Sequence, residues 1–169
     1  YKSRKMYIEK IGNLWYTESD KGSLKAGASM RGLISLYRFQ RVSYWTHSGE
    51  RRMRIILRGV PPSLNAFAGR ENTWEYRKAK KEWTEAVQWM CKTIPHGPPP
   101  DKAMVRIDYY FPDRRRHDAD NYCGKLLLDG LTKAGVIADD DFAHISLSVH
   151  GYVDRTNPRT EITVLAEDE

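Results

Sequence analysis

The chain has 169 residues, 40% of them hydrophobic and 30% charged, with a net charge of +6. That balance excludes a disordered or fibrous polymer and leaves room for one domain with a real core, or one domain plus an extension. No apolar run approaches the ~18 residues of a membrane helix and no secretory pattern opens the chain, so no membrane partner is expected. Cys91 and Cys123 are not spaced as a metal-binding pair; they fit buried thiols in a reducing, cytoplasmic setting.

The charge is unevenly spread. Residues 1 to 52 carry 11 Lys+Arg against 4 Asp+Glu, and residues 53 to 169 carry 17 against 18, so the basic excess of +7 lies in the first part. That first part opens on Tyr and mixes short apolar pieces with Gly, Ser and Lys, as in GSLKAGASMRG. It reads as an upstream translated extension, a fusion scar or a weakly ordered arm. A basic DNA-binding arm is the sharper alternative, and a compact domain of ~50 residues would be marginal alone. The domain proper is expected to begin at Met53 and run to residue 169.

From there the elements follow in order. Arg54 to Val60 is a short apolar strand stopped by Pro61-Pro62. Asn72 and Glu75 have the spacing of a capping box, and Tyr76, Ala79, Trp83, Ala86, Val87 and Met90 follow helical spacing over residues 74 to 92. Its aromatic stripe is expected in the core. His96 to Pro100 is a linker turn. Val105, Ile107, Tyr109 and Phe111 alternate with Met104, Arg106, Asp108 and Tyr110 in a second strand, ended by Pro112. A helix is expected from about Asn121 to Ala134, with Leu127, Leu131 and Ala134 inward and Gly135 as its stop. Ile145, Leu147 and Val149 mark a third strand. Ile162 and Val164 mark a fourth, joined to it as a terminal hairpin through a polar turn with Asp154, Asn157 and Pro158. The order β-α-β-α-β-β predicts an α+β single domain with a mixed sheet.

Residues 114 to 121 read RRRHDADN, and an acidic run follows at Asp139, Asp140 and Asp141. In an extended segment Asp118 and Asp120 share a face. Two carboxylates held together repel unless a cation sits between them, and oxygen-only ligation suits Mg²⁺ or Mn²⁺. Either aspartate could instead cap the following helix, and the acidic run could be a solvated turn. A helix of ~14 residues spans ~21 Å, so the two clusters meet only if the return segment brings residue 140 back or a second subunit supplies one of them. Asn121, Lys125, Asp129 and Lys133 recur every four residues on one helix face; Asp129 and Lys133 form a favourable pair, and Lys125 is placed to neutralise charge on a phosphate oxygen. Other chemistries fit less well. A Ca²⁺ loop needs a ligand where Tyr122 stands and a glycine where Cys123 stands. An aspartyl-phosphate enzyme puts its nucleophile directly after a buried strand, whereas Asp118 follows RRRH. The five histidines have no zinc spacing. A sugar-nucleotide transferase using the paired aspartates would be larger and carry a nucleotide pocket.

PPSLN at 61–65, PDRRRHDADN at 112–121, LLLDGLTKAGVI at 126–137 and the DDD that follows together resemble the RusA family of Holliday junction resolvases, endodeoxyribonucleases often encoded by prophages. The resemblance covers residues 53 to about 165, and it is the combination that is specific, not the paired aspartates alone. It implies a homodimer that cuts four-way DNA junctions with Mg²⁺ during recombination and repair, in a bacterial or phage-infected cell. The metal-holding catalytic aspartates would be Asp118, Asp120 and Asp140, with Lys125 as the catalytic lysine. Arg114, Arg115, Arg116, His117 and Lys133 would hold DNA. Two departures stand out: the family reads DxDNxxK where this chain reads DADNYCGK, one residue longer, and it often has Arg where this chain has His117. Two-fold symmetry of a dimer would match the approximate two-fold symmetry of a junction. The alternatives are a related nuclease acting on flaps or forks, and a catalytically silent junction-binding protein.

Overall fold

The structure, a computed structural model, describes residues 4–11, 14–17, 39–47, 50–69 and 73–167. Its strands are β1 (Arg4–Ile11), β2 (Leu14–Thr17), β3 (Phe39–His47), β4 (Glu50–Arg58), β5 (Ala103–Phe111), β6 (Ile145–Val153) and β7 (Arg159–Ala166). Two helices, α1 (Trp74–Lys92) and α2 (Leu128–Ala134), separate β4 from β5 and β5 from β6. The strands form one sheet in the order β2-β1-β3-β4-β7-β5-β6. Every pairing is antiparallel except β5 with β6, which are parallel and joined through α2. The fold is thus α+β with a mixed sheet, the class the strand and helix periodicities predict. Among the described residues no helix is long and apolar enough to cross a membrane.

Side-chain alternation explains the layers. Val105, Ile107 and Tyr109 of β5, Ile162 and Val164 of β7, and Ile55 and Leu57 of β4 all point to the face that α1 and α2 cover. Trp83, Ala86, Val87 and Met90 line the buried side of α1, at the spacing the sequence predicts. Fully burying each aliphatic side chain contributes roughly 1.5–3 kcal/mol. The expected cap residue Asn72 lies outside the described residues. Cys91 is buried, which pushes its thiol pKa up, and Cys123 is half-buried.

Three expectations are corrected. The terminal hairpin does not form: β7 lies between β4 and β5, so β5 separates it from β6. β7 is buried along most of its length and suits a central position, whereas β6 is exposed along most of its length and suits the edge. The helix expected from Asn121 is only Leu128–Ala134; Ala119–Tyr122 is a separate 3-10 turn, and Gly124 between them has φ +83°. A left-handed residue there breaks α-helical hydrogen bonding. Finally, β4 begins at Glu50, ahead of Met53. β3 pairs with it along most of its length, and Val42 of β3 is fully buried in the core.

Candidate functional site

β5 ends at Phe111, whose carbonyl accepts the Asp154 amide at 2.8 Å, so the chain leaving β5 is tied to the β6–β7 turn. The next residues form a loop with its own latch. The His117 ring stacks on Phe111 with centroids 3.7 Å apart and planes 5° apart. Its Nε2 lies 3.3 Å from an Asp113 carboxylate oxygen and its Nδ1 3.4 Å from the Tyr122 hydroxyl. Asp113 also accepts the Arg115 amide at 2.9 Å. That bond first, then His117, hold the Asp113 carboxyl below its usual range. His117, expected to touch DNA, is therefore turned inward and fixes the loop.

The latch presents Asp118 and Asp120 to solvent. Asp118 is extended (φ −83°, ψ 130°) and its side chain makes no capping bond; it accepts Arg116 Nε at 2.8 Å instead. Asp120 stands in the first turn of the 3-10 segment and accepts the Asn121 side-chain amide at 3.1 Å. The segment is thus extended only as far as Asp118, and strand alternation does not govern Asp120. Neither carboxylate is used as a helix cap, the simplest structural use for either.

The arginine run is exposed beside them. Arg115 lies 3.6 Å from Asp113 and Arg116 2.8 Å from Asp118. Arg114 has no ion-pair partner among the described residues. Lys125 is exposed and precedes α2, so it shares no helix face with Asp129 and Lys133. It borders a shallow cleft with Pro61, Pro62, Leu64, Tyr109 and Asn121, which brings the PPSLN segment to the DxDN turn. The turn before Lys125 needs glycine for its φ; a Cβ there would also meet the tip of the Ile107 side chain at 2.7 Å.

The acidic run divides by use. Asp139 accepts the Asp140 amide at 2.8 Å. Asp141 accepts the Ala143 and His144 amides at 2.9 and 3.0 Å and the His144 ring at 2.6 Å. The His144 ring, then the two amides, hold the Asp141 carboxyl low. Asp140 is exposed, and among the described residues its carboxylate takes no hydrogen bond. Of the three it is the one left available. The expected Asp129–Lys133 pair is replaced by Asp129 with Lys80 of α1 at 2.9 Å. The bond to Asp129 is the largest cause raising the Lys80 pKa, and the Asp140 charge adds a smaller push in the same direction. Sequence spacing gives no sign of Lys80, because it reaches Asp129 from another helix. Lys133 is exposed in the last turn of α2.

Among the described residues no three His, Cys, Asp or Glu side chains gather closely enough to hold a metal ion. Asp118 and Asp120 still have the donor chemistry of a hard divalent cation. Mg²⁺ keeps several waters and is commonly held by one or two carboxylates together with substrate phosphates. The chain matches no family model and no curated protein sequence.

Proposed function

We propose that this chain is a Mg²⁺-dependent endonuclease that cuts four-way DNA junctions as a homodimer. The observation that carries the reading is the pair Asp118 and Asp120, both exposed, neither used as a cap, held beside three exposed arginines. Bound Mg²⁺ would supply an activated water and charge neutralisation at the scissile phosphate. Asp118 and Asp120 would hold it, and Arg114 to Arg116 would hold the DNA backbone without reading sequence. Lys125 is exposed next to the same turn, where it is suited to stabilise charge on a phosphate oxygen. Asp140 would complete the site from its own chain on DNA binding or from the second subunit. The resemblance of PDRRRHDADN and LLLDGLTKAGVI to the RusA resolvases points to branched DNA as the substrate.

The test is a synthetic four-way junction, labelled on each strand in turn and incubated with and without Mg²⁺, read on a denaturing gel beside a linear duplex. Symmetric nicks near the crossover that need Mg²⁺ and vanish in Asp120→Asn support the reading. Junction binding without any nick favours the silent binding protein. Cutting of flaps or forks in preference to the junction favours the related nuclease.

A further inference from the structure

One face of the sheet carries α1 and α2; on the other, among the described residues, no helix lies. Strand register puts Arg54 and Arg58 of β4, Arg159 and Glu161 of β7, Arg106 and Asp108 of β5 and Tyr152 of β6 on that open face. The acids there are consumed internally. Glu161, nearly buried, binds both Arg54 and Arg159; Asp108 takes Arg106 at 3.0 Å; and Asp154 in the adjoining turn takes Arg159 at 2.6 Å. Arg58 and Arg155 have no carboxylate partner among the described residues, and both are exposed. Arg58 also stands directly across from Arg159 in the β4–β7 register. Arg159 is already compensated by Glu161 and Asp154, so Arg58 gains no carboxylate from this pairing.

The same end of the sheet carries an aromatic floor. Tyr110 and Tyr152 stack with centroids 5.1 Å apart, and the Arg159 guanidinium lies 3.6 Å from the Tyr110 ring centroid. Arg106 donates to the Tyr152 hydroxyl at 3.0 Å. These groups are fixed by their neighbours, so little side-chain freedom is lost when a ligand settles on them. This end of the sheet is also where β5 delivers the chain to the Asp118 loop, and the Asp154–Phe111 bond joins the two regions.

We propose that the helix-free face, at the end bearing Arg58, Arg155 and the Tyr110–Tyr152 floor, is a second DNA-contacting surface that holds the phosphate backbone of a duplex arm leaving the site. It rests on the junction-nuclease reading. The occupant follows from charge: two unpaired arginines beside neutralised acids leave a local positive excess that suits a polyanion. Because the groups held are phosphates, the face adds affinity and arm placement, not sequence preference.

The test is fluorescence anisotropy of the full chain on a labelled four-way junction, with EDTA in place of Mg²⁺, over a series of salt concentrations. The double variant Arg58→Gln with Arg155→Gln should weaken binding severalfold. It should also lower the slope of log affinity against log salt by about 0.9 for each phosphate no longer neutralised, about 1.8 in all. The charge-conserving pair Arg58→Lys with Arg155→Lys should keep the slope. Arg77→Gln with Lys92→Gln, on α1 behind the opposite face, should also keep it. A slope unchanged in the Arg58/Arg155 variant, while the wild type binds the junction, overturns this inference and leaves the nuclease reading standing. An equal reduction in the α1 pair overturns it too, since the effect would then follow total charge. A change in sedimenting mass confined to the Arg58/Arg155 variant overturns it by showing that the face joins two copies. A wild type that binds no DNA sinks both readings together.

Discussion

Gly130→Ala separates two opposing effects at the junction of the two helices. Gly130 lies inside α2 where the helix crosses α1. A Cβ added there would sit 2.6 Å from the Thr84 carbonyl oxygen and 2.6 Å from Val87 Cβ, whereas ordinary contact begins near 3.4 Å. One of those atoms is backbone, so about 0.8 Å of overlap must be relieved by moving a helix. Helix propensity favours alanine by about 1 kcal/mol. Overpacking of a core site costs about 1–3 kcal/mol, and this contact belongs at the upper end because α1 cannot yield a side chain alone. The net expectation is a loss of about 1–2 kcal/mol. In urea the midpoint should fall with m unchanged, and Tm should drop by roughly 3–8 °C for a chain of this size. An unchanged or raised midpoint would refute the close packing of α1 on α2 and leave propensity as the controlling term. Because α2 joins the DxDN turn to the acidic run, the same variant should also lose activity beyond its loss of folded protein.

Asp118→Asn and Asp120→Asn should each abolish Mg²⁺-dependent cleavage while junction affinity in EDTA stays equal or rises, since removing negative charge beside phosphate cannot weaken binding; single-turnover rates and anisotropy check this together. Replacing Arg114, Arg115 and Arg116 with Ala should flatten the salt dependence of binding, and Arg114→Ala alone should account for a full phosphate because Arg115 and Arg116 already share carboxylates. Asp154 has its carboxyl held down to about 2 by the Thr156 hydroxyl, the Asn157 amide and Arg159. Its contribution is therefore complete above the unfolded value of about 3.9 and is lost as pH falls toward about 2; Asp154→Asn should flatten acid unfolding within that window, measured by circular dichroism. A chain shortened to begin at Met53 should be less stable in urea than one beginning at Phe39, because it loses β3 and the burial of Val42, worth roughly 1.5–3 kcal/mol.

Local patterning along the chain marked most of the elements, though not the start of α2 or of β4. The 3.6-residue spacing of Trp83, Val87 and Met90 marked α1 at Trp74–Lys92, and two-residue alternation marked β5 at Ala103–Phe111. Gly135 marked the end of α2, where it takes φ +75°. The candidate site residues also came from local pattern, through the carboxylates and arginines packed into RRRHDADN. Tertiary structure alone decided the neighbours. Periodicity shows which face of β7 is buried but not which strands flank it, and β7 went between β4 and β5 where both of its faces find cover. The apolar pattern from Leu126 to Ala134 gave no sign that the first part would be a turn, since its leucines are buried either way; the left-handed backbone of Gly124 is what sets it apart from the helix. The partners of charged groups were decided the same way. Asp129 chose Lys80 on another helix over Lys133 on its own. His117 chose Phe111 and Asp113 over solvent. Asp140 was distinguished from Asp139 and Asp141 only when their turn consumed those two carboxylates. Spacing along a chain fixes which side chains share a face, whereas ion pairs and ring stacks depend on distances between elements, and those are set only when the sheet and helices pack.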